Sequence, residues 1–312
     1  MSCFLNTERY MTQLAISGLW PALLTPIQED GSIDLPRMIA HGQHLLAAGS
    51  DGLTLFGTTG EGTSFTTSQR IAAADAFIAA GVRGDQLVIN LSALARDDAV
   101  ALAVHAAKIA AKAGLLMPPF YYNGQHDAGL VAYVSEVIET VKAQSGQSLP
   151  IILYHFPGLC GIGWSEAAIT QLMQKYPSEV ISIKDSSANI EHSKMLAQKF
   201  PKLAVLVGCE PDVMPTQLVG GAGSICGLAN IAPSLMRRMM DAPASVSQAD
   251  DKLMRSLLAL LSLEPGMPFV SAYKVMLAEL TGDNAWLRVR SPLTPLTASQ
   301  EQAVREGYRK TQ

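Results

Sequence analysis

Short apolar runs alternate with longer amphipathic segments along most of this chain, and that alternation limits the possible folds more than any other feature. Residues 20–25 have the composition of a strand and residues 35–48 the spacing of a helix, and residues 52–56 and 68–80 repeat the pair. The further predicted strands are residues 86–91, 115–117, 151–154, 180–183, 204–207 and 223–226. About eight such units over roughly 250 residues are typical of a barrel of parallel strands. A doubly wound open sheet is the alternative.

Two observations favour the barrel over the open sheet. The first predicted strand is not followed by GxGxxG, and GxxxxGK[ST] does not occur, so the nucleotide-binding signatures of open sheets are missing from the sequence. Polar and glycine-rich segments also follow the predicted strands directly, at residues 57–62, 121–124, 155–161, 185–187 and 208–210. These positions are the carboxyl ends of the strands, where barrels place their active sites. We therefore predict an α/β fold, a (β/α)8 TIM barrel with a C-terminal helical extension.

The alternation stops after about residue 231, and this change divides the chain into three predicted parts. Residues 1–17 are expected to form an N-terminal extension, residues 18–231 the barrel catalytic domain and residues 232–312 a C-terminal helical region. Within the last part, the predicted helices are residues 235–241, 250–263 and 269–280. No low-complexity linker precedes this region, so we expect it to pack tightly on the barrel.

Composition and charge exclude several functional classes. The 312 residues carry 23 basic and 27 acidic side chains, and no run of Lys or Arg could neutralise several phosphates together, which argues against nucleic acid as a partner. No stretch is long and apolar enough to cross a membrane, and Glu8 and Arg9 interrupt the N-terminus, so a signal peptide is not predicted. The scattered cysteines predict reduced thiols, and we expect a cytoplasmic protein. They are Cys3, Cys160, Cys209 and Cys226.

Lys184 and Tyr154 form the first candidate catalytic pair. Lys184 follows the apolar run 180–183, so it lies at the carboxyl end of the predicted sixth strand, and Tyr154 ends the fifth. Burial there disfavours the charged ammonium form, and a neutral amine is a nucleophile. An amine that attacks a ketone forms an iminium, and a nearby phenol can move the protons. The alternative for Lys184 is a side chain that extends into solvent.

The glycine-rich loop 57–62, which contains Thr58 and Thr59, follows the predicted second strand. Successive N–H groups in such a loop can bind a carboxylate, and a threonine hydroxyl can relay a proton. The alternative is an ordinary turn in which Ser or Thr caps the next helix.

Six segments, in order along the chain, resemble the dihydrodipicolinate synthase and N-acetylneuraminate lyase family. They are GTTGEG at 57–62, YYN at 121–123, ILYHFP at 152–157, IKDSS at 183–187, GGAGSICGLANI at 220–231 and RSPLTPLT at 290–297. The resemblance covers nearly the whole chain. It implies a (β/α)8 barrel that binds pyruvate or another 2-oxo acid as a Schiff base, with no metal and no other cofactor. It also implies a homodimer or homotetramer.

The resemblance assigns catalytic roles position by position. Lys184 matches the Schiff-base lysine and Tyr154 the residue that donates and accepts protons. Thr58 matches a hydroxyl that relays protons with the tyrosine, and Thr59 one that binds the pyruvate carboxylate. Tyr122 matches a tyrosine that reaches into the site of a neighbouring subunit.

Five further positions match residues that contact substrate in this family. Ile225 and Gly208 match positions that contact pyruvate through the backbone. Leu159 stands where lysine-biosynthesis members carry an arginine that pairs with the carboxylate of aspartate semialdehyde, so that substrate is not expected. Ser186 and Glu210 match positions that bind a polyhydroxylated chain in the sialic acid lyase branch. Glu210 has an alternative role as a first-turn acid that stabilises a helix.

The leading prediction is an aldolase or lyase that acts on a 2-keto-3-deoxy sugar acid or a sialic-acid-like substrate. The alternatives are 4-hydroxy-tetrahydrodipicolinate synthase, a 2-keto-3-deoxy sugar acid dehydratase and a non-catalytic sensor of a 2-oxo acid. Strand alternation predicts that Asp185 and His155 point away from the cavity. His41 and His44 share a helix face without another obvious ligand, so no metal site is predicted.

Overall fold

Eight parallel strands form the centre of the protein in a computed structural model that describes residues 16–312. Residues 1–15, most of the predicted N-terminal extension, lie outside the described residues. Neighbouring strands pair in the order β1-β8-β7-β6-β5-β4-β3-β2. The strands are β1 Gly18–Pro21, β2 Leu53–Leu55, β3 Leu87–Asn90, β4 Ala113–Leu116, β5 Ile151–His155, β6 Val180–Asp185, β7 Ala204–Val207 and β8 Gly223–Cys226.

The sheet closes on itself between its first and second strands. Strand β1 pairs with β8, with Trp20 opposite Ile225, and Ala22 forms a parallel bridge to Thr54 just beyond β1. The Leu23 N–H donates to the Thr54 carbonyl at 3.0 Å. A closed sheet of parallel strands with helical crossovers is a TIM barrel, so the predicted fold is confirmed.

Helices connect consecutive strands, and four more follow the barrel. They are α1 Leu35–Ala47, α2 Thr67–Ala79, α3 Arg96–Lys108, α4 Asp127–Ser145, the short α5 Pro157–Cys160, α6 Glu166–Lys175, α7 Ile190–Lys199, α8 Glu210–Gln217, α9 Pro233–Asp241, α10 Gln248–Ala259, α11 Phe269–Thr281 and α12 Ala298–Arg309. Within residues 16–312, no helix is long and apolar enough to cross a membrane.

Two boundaries differ from the sequence-based predictions in ways that affect the site. The first strand was expected over residues 20–25, but regular strand pairing ends at Pro21. Ala22 and Leu23 still bond to the neighbouring strands, and the chain turns away at Leu24, whose N–H bonds to the Asn230 side chain at 3.0 Å. Strand β6 extends through Asp185, so Lys184 lies inside the strand and its direction is set by the ladder to β5.

The C-terminal helices pack directly on the barrel. One apolar cluster combines residues of α9 to α12 with Leu19 of β1 and Val207 of β7. Helix α12 was not among the predicted helices, because it carries few apolar residues and only Val304 and Tyr308 of it are buried. Its clearest signal is the capping box between Thr297 and its third residue, Gln300.

Candidate active site

A cavity of about 260 Å³ opens at the carboxyl ends of the strands. Eight of the ten predicted site residues line it: Thr58, Thr59, Tyr154, Lys184, Ser186, Gly208, Glu210 and Ile225. Tyr122 and Leu159 do not. Segments spread over more than half of the sequence therefore meet in one place, because parallel strands of a barrel end at the same rim.

Lys184 and Tyr154 are direct partners in the barrel. They lie opposite each other in the β5–β6 ladder, and the Lys184 side chain is only 4% exposed. Neighbouring strands are about 4.8 Å apart, so paired residues on the same face are in contact. The Lys184 Nζ lies 4.3 Å from the centre of the Tyr154 ring. The solvent-exposed alternative for Lys184 is therefore wrong.

Asp185 points to the opposite side of β6, as strand alternation requires. It accepts hydrogen bonds from Ser193 Oγ at 2.7 Å and the Ser187 N–H at 3.0 Å, and it lies 3.0 Å from His192 Nδ1. Burial alone would raise the pKa of Asp185, but the hydrogen bonds from His192 and Ser193 hold it below its ordinary value. This arrangement keeps a carboxylate away from the Lys184 amine.

His155 also lies behind the barrel wall and does not line the cavity. Its ring stacks on His192 with centroids 4.5 Å apart, and its Nδ1 accepts from the Trp164 N–H at 3.0 Å. Burial lowers the pKa of His155 to about 4. His155, Asp185 and His192 are close enough together to hold a metal ion, a grouping that the sequence analysis missed. However, the two rings are stacked and each Nδ1 makes a hydrogen-bond contact within the protein, so these side chains already have protein partners without a metal ion.

The Tyr154 hydroxyl lies 3.2 Å from Thr58 Oγ1, within hydrogen-bond distance. Thr58 belongs to the loop after β2, and that loop has a strained shape: Phe56 and Glu61 both adopt positive φ, at 58° and 55°. A side chain at Gly62 is excluded, because its Cβ would lie 1.7 Å from the Phe56 carbonyl oxygen. The glycine-rich sequence is thus required for the turn that brings Thr58 to Tyr154.

Backbone and polar side-chain groups form the wall of the cavity beside Lys184. A Cβ on Gly208 would lie 2.1 Å from Ser186 Oγ and 3.2 Å from Lys184 Cε, so glycine leaves room beside the amine. Glu210 accepts from the Leu228 N–H at 2.9 Å and lies 3.4 Å from the Tyr273 hydroxyl. Burial raises the pKa of the Glu210 carboxyl.

Two aromatic residues of α11 also line the cavity, and the sequence analysis did not identify them. Phe269 and Tyr273 lie one helical turn apart, and their rings meet edge to face with centroids 6.4 Å apart. Their spacing on one helix face was the available signal, but a pair at that spacing is equally typical of core packing.

Tyr122 and Leu159 are both largely exposed, at 69% and 57%. Leu159 lines a second cavity of about 370 Å³, which shares Thr58 and Tyr154 with the first. Tyr122 contacts Tyr121 edge to face, with ring centroids 5.3 Å apart. The predicted role of Tyr122 in the site of a neighbouring subunit stays a prediction, since it lies outside the cavity of its own chain.

Comparison with known proteins places this chain in a family. A sequence model described as the dihydrodipicolinate synthetase family matches residues 15–310. The chain belongs to this family. The protein is therefore an enzyme of the lyase class, as predicted, and the resemblance identified in the sequence is confirmed.

Relatives and solved structures are similar to this chain along nearly its whole length. An uncharacterized DapA-like lyase of Chloroflexus aurantiacus is 29% identical over 93% of this chain and 95% of its own. A 4-hydroxy-tetrahydrodipicolinate synthase of Rhizobium meliloti is 31% identical over 90% of this chain and 95% of its own. The crystal structure of dihydrodipicolinate synthase from Agrobacterium tumefaciens is 31% identical and superimposes with a TM-score of 0.85, covering 95% of this chain and 99% of that one.

Proposed function

We propose that this family member is a Schiff-base aldolase that cleaves a 2-oxo acid to pyruvate and an aldehyde, or condenses the two. The observation that carries the proposal is the contact of the buried Lys184 amine with the Tyr154 ring, together with the approach of the Tyr154 hydroxyl to Thr58. Nucleophile, proton carrier and relay partner are thus adjacent in one cavity.

In the proposed mechanism, the neutral Lys184 amine attacks the ketone carbon of the 2-oxo acid. The carbinolamine that forms loses its hydroxyl group as water and becomes an iminium. Cleavage of the bond between C3 and C4 leaves its electron pair on C3 as an enamine, and the aldehyde departs. Protonation of C3 and hydrolysis then release pyruvate and the free amine.

Tyr154 is proposed to carry the protons of these steps. Its hydroxyl can protonate the leaving hydroxyl of the carbinolamine and accept the proton of the C4 hydroxyl during cleavage. Thr58 Oγ1, at 3.2 Å, can return or remove the proton between steps. Thr59 and the backbone at Ile225 and Gly208 are proposed to hold the carboxylate, since all three line the same cavity. Covalent chemistry at Lys184 needs neither a metal nor an organic cofactor in this proposal.

The aldehyde half is proposed to be a neutral, polyhydroxylated chain, as in a 2-keto-3-deoxy sugar acid or a sialic-acid-like substrate. Within residues 16–312, Lys184 is the only basic side chain on the walls of either cavity. An aldehyde that carries its own carboxylate would have no cation to bind, whereas Ser186 and Glu210 can bond to hydroxyl groups.

A second candidate is 4-hydroxy-tetrahydrodipicolinate synthase, which condenses pyruvate with aspartate semialdehyde. The named relatives favour it, since a synthase of Rhizobium meliloti is 31% identical over 90% of this chain. Release or consumption of pyruvate with a panel of 2-keto-3-deoxy acids, N-acetylneuraminate and aspartate semialdehyde separates the candidates. We expect pyruvate release from a sugar acid. Consumption of pyruvate together with aspartate semialdehyde, with no turnover of the other compounds in the panel, would establish the synthase.

Replacing Leu159 by arginine tests the substrate argument directly. The new guanidinium would lie at the edge of the second cavity, next to the site, where a carboxylate could form a charge-assisted hydrogen bond. Such a bond contributes roughly 1.5 to 3 kcal/mol, so kcat/KM for aspartate semialdehyde should rise about 10- to 100-fold. Leu159→Gln is the neutral control. An equal gain in both variants would contradict the argument.

We also propose that a second copy of the chain contributes its Tyr122 to the site, because Tyr122 does not line the cavity of its own chain. Tyr122→Phe and Lys184→Met should each lose about 100-fold or more of activity as pure oligomers. A mixed oligomer, purified through two different tags, should recover activity, because a chain with Lys184 then receives Tyr122 from its partner. No recovery in the mixed oligomer would mean that Tyr122 does not act across subunits.

A further inference from the structure

A fully buried ion pair connects the loop of the catalytic threonines to the C-terminal helical region. The Lys274 Nζ of α11 contacts Glu61 of the loop after β2, and both side chains are 0% exposed. The two residues are 213 positions apart in sequence. The mechanism proposed above uses neither of them.

Every polar atom of this pair has a specific partner on a C-terminal segment or on the loop. Lys274 Nζ also donates to the Arg288 carbonyl at 2.7 Å. The second oxygen of Glu61 accepts from the Arg290 N–H at 2.9 Å. The Glu61 N–H in turn donates to the Thr58 carbonyl at 3.1 Å. The pair therefore fixes the backbone of the residue whose hydroxyl meets Tyr154.

A buried ion pair is a costly way to stabilise a fold, because apolar side chains of the same volume often do as well. Both side chains are shielded from solvent, and this burial lowers the pKa of Lys274 against the attraction of Glu61. A shift of the loop would, however, separate the two buried charges, and leaving a buried charge without its partner is strongly destabilising, so the pair holds the loop in one position.

The loop needs contacts that hold it in place because its backbone is strained. Glu61 itself adopts a positive φ of 55°, and Phe56 at the start of the loop one of 58°. Backbone in this region persists only where the surrounding structure holds it. The Asn90 side chain holds the Phe56 carbonyl at 2.6 Å and Thr25 Oγ1 the Gly60 carbonyl at 2.7 Å, which leaves Glu61 as the attachment to the C-terminal region.

We propose that Lys274 is a positioning residue of the active site: through Glu61 it holds Thr58 at the Tyr154 hydroxyl, so that the proton relay is formed before substrate binds. This inference rests on the proposed function. It makes the C-terminal helical region part of the catalytic apparatus and not only a packing layer. Because Lys274 acts through Glu61, its loss should slow proton transfer more than formation of the Schiff base.

The test uses the full-length protein and four variants. Lys274→Met keeps most of the length of the side chain without its charge, Glu61→Gln keeps a hydrogen-bonding group, and the double variant removes both charges. Ser271→Ala is the matched control, because Ser271 lies on the same helix, is buried and bonds to the Thr294 carbonyl at 2.7 Å. Exchange of the pyruvate methyl protons with deuterium reports proton transfer, and borohydride trapping reports the Schiff base. Both rates are measured under conditions in which circular dichroism shows that the variant is folded.

We expect Lys274→Met and Glu61→Gln to slow methyl exchange by at least about tenfold while borohydride still traps pyruvate on Lys184, since misplacement of about 1 Å can cost 100-fold. The double variant should be no slower than the slower single variant, because the two residues act as one unit. Ser271→Ala should exchange at the wild-type rate.

Methyl exchange at the wild-type rate in Glu61→Gln would overturn the inference, and so would an equal slowing of exchange in Ser271→Ala. If Lys274→Met does not fold, the exchange rate of Glu61→Gln decides alone. A wild-type enzyme that neither traps nor exchanges pyruvate would instead overturn the proposed function, and the inference with it.

Discussion

Replacing Lys184 by methionine should remove all turnover and all exchange of the pyruvate methyl protons. Methionine fills a similar volume against the Tyr154 ring, so the barrel should fold normally, but no iminium can form. Loss of a covalent nucleophile typically lowers kcat by a factor on the order of 10⁴ or more. Exchange followed by nuclear magnetic resonance and pyruvate release followed by a coupled assay measure the two effects.

Lys202→Met is the matched control for this substitution. Lys202 is exposed and precedes β7, at the opposite end of the strand from the cavity, so its loss should leave both activities unchanged. Appreciable methyl exchange in Lys184→Met would mean that the enamine forms elsewhere.

Replacing Tyr154 by phenylalanine should separate proton transfer from formation of the Schiff base. The ring that contacts Lys184 Nζ remains, and only the hydroxyl that faces Thr58 is lost. Proton transfer by a positioned side chain contributes about 100- to 10,000-fold, and turnover should fall by a factor in that range. Borohydride should still trap pyruvate on Lys184, although more slowly.

Tyr176→Phe is the control for removal of a buried phenol. The Tyr176 hydroxyl contacts Glu139 of α4 and does not line either cavity, so activity should be retained. Full turnover in Tyr154→Phe would exclude the phenol as the proton carrier. Complete loss of trapping would show that Tyr154 is needed to form the iminium, by attack of the amine or by loss of water from the carbinolamine.

Much of this site could be predicted from sequence because each part has a local signal. The residue pattern of a strand and the polar residues at its carboxyl end can be recognised within a few residues. A parallel barrel then brings the carboxyl ends of all its strands to one rim. Lys184 and Tyr154 were therefore expected to meet, and they lie opposite each other in the β5–β6 ladder. The loop with Thr58 carries its own signal in glycines that the turn requires.

The residues that the sequence analysis missed have no local signal that distinguishes them from core residues. Lys274 and Tyr273 lie inside a helix that is buried over most of its length, and no pattern within α11 indicates that Lys274 reaches Glu61 or that Tyr273 faces the cavity. A lysine in a helix is usually solvated, and only the tertiary packing shows that this one is fully buried. The His155, Asp185 and His192 group was missed for the same reason, since β5, β6 and α7 each contribute one member.

Trapping of the Schiff base in the wild-type protein decides whether Lys184 is the nucleophile. The protein is incubated with pyruvate and borohydride, digested, and its peptides are mapped by mass spectrometry. We expect one reduced pyruvyl adduct, on Lys184, with untreated protein and protein treated with borohydride alone as blanks. Absence of an adduct, or an adduct on any lysine other than Lys184, would contradict this expectation.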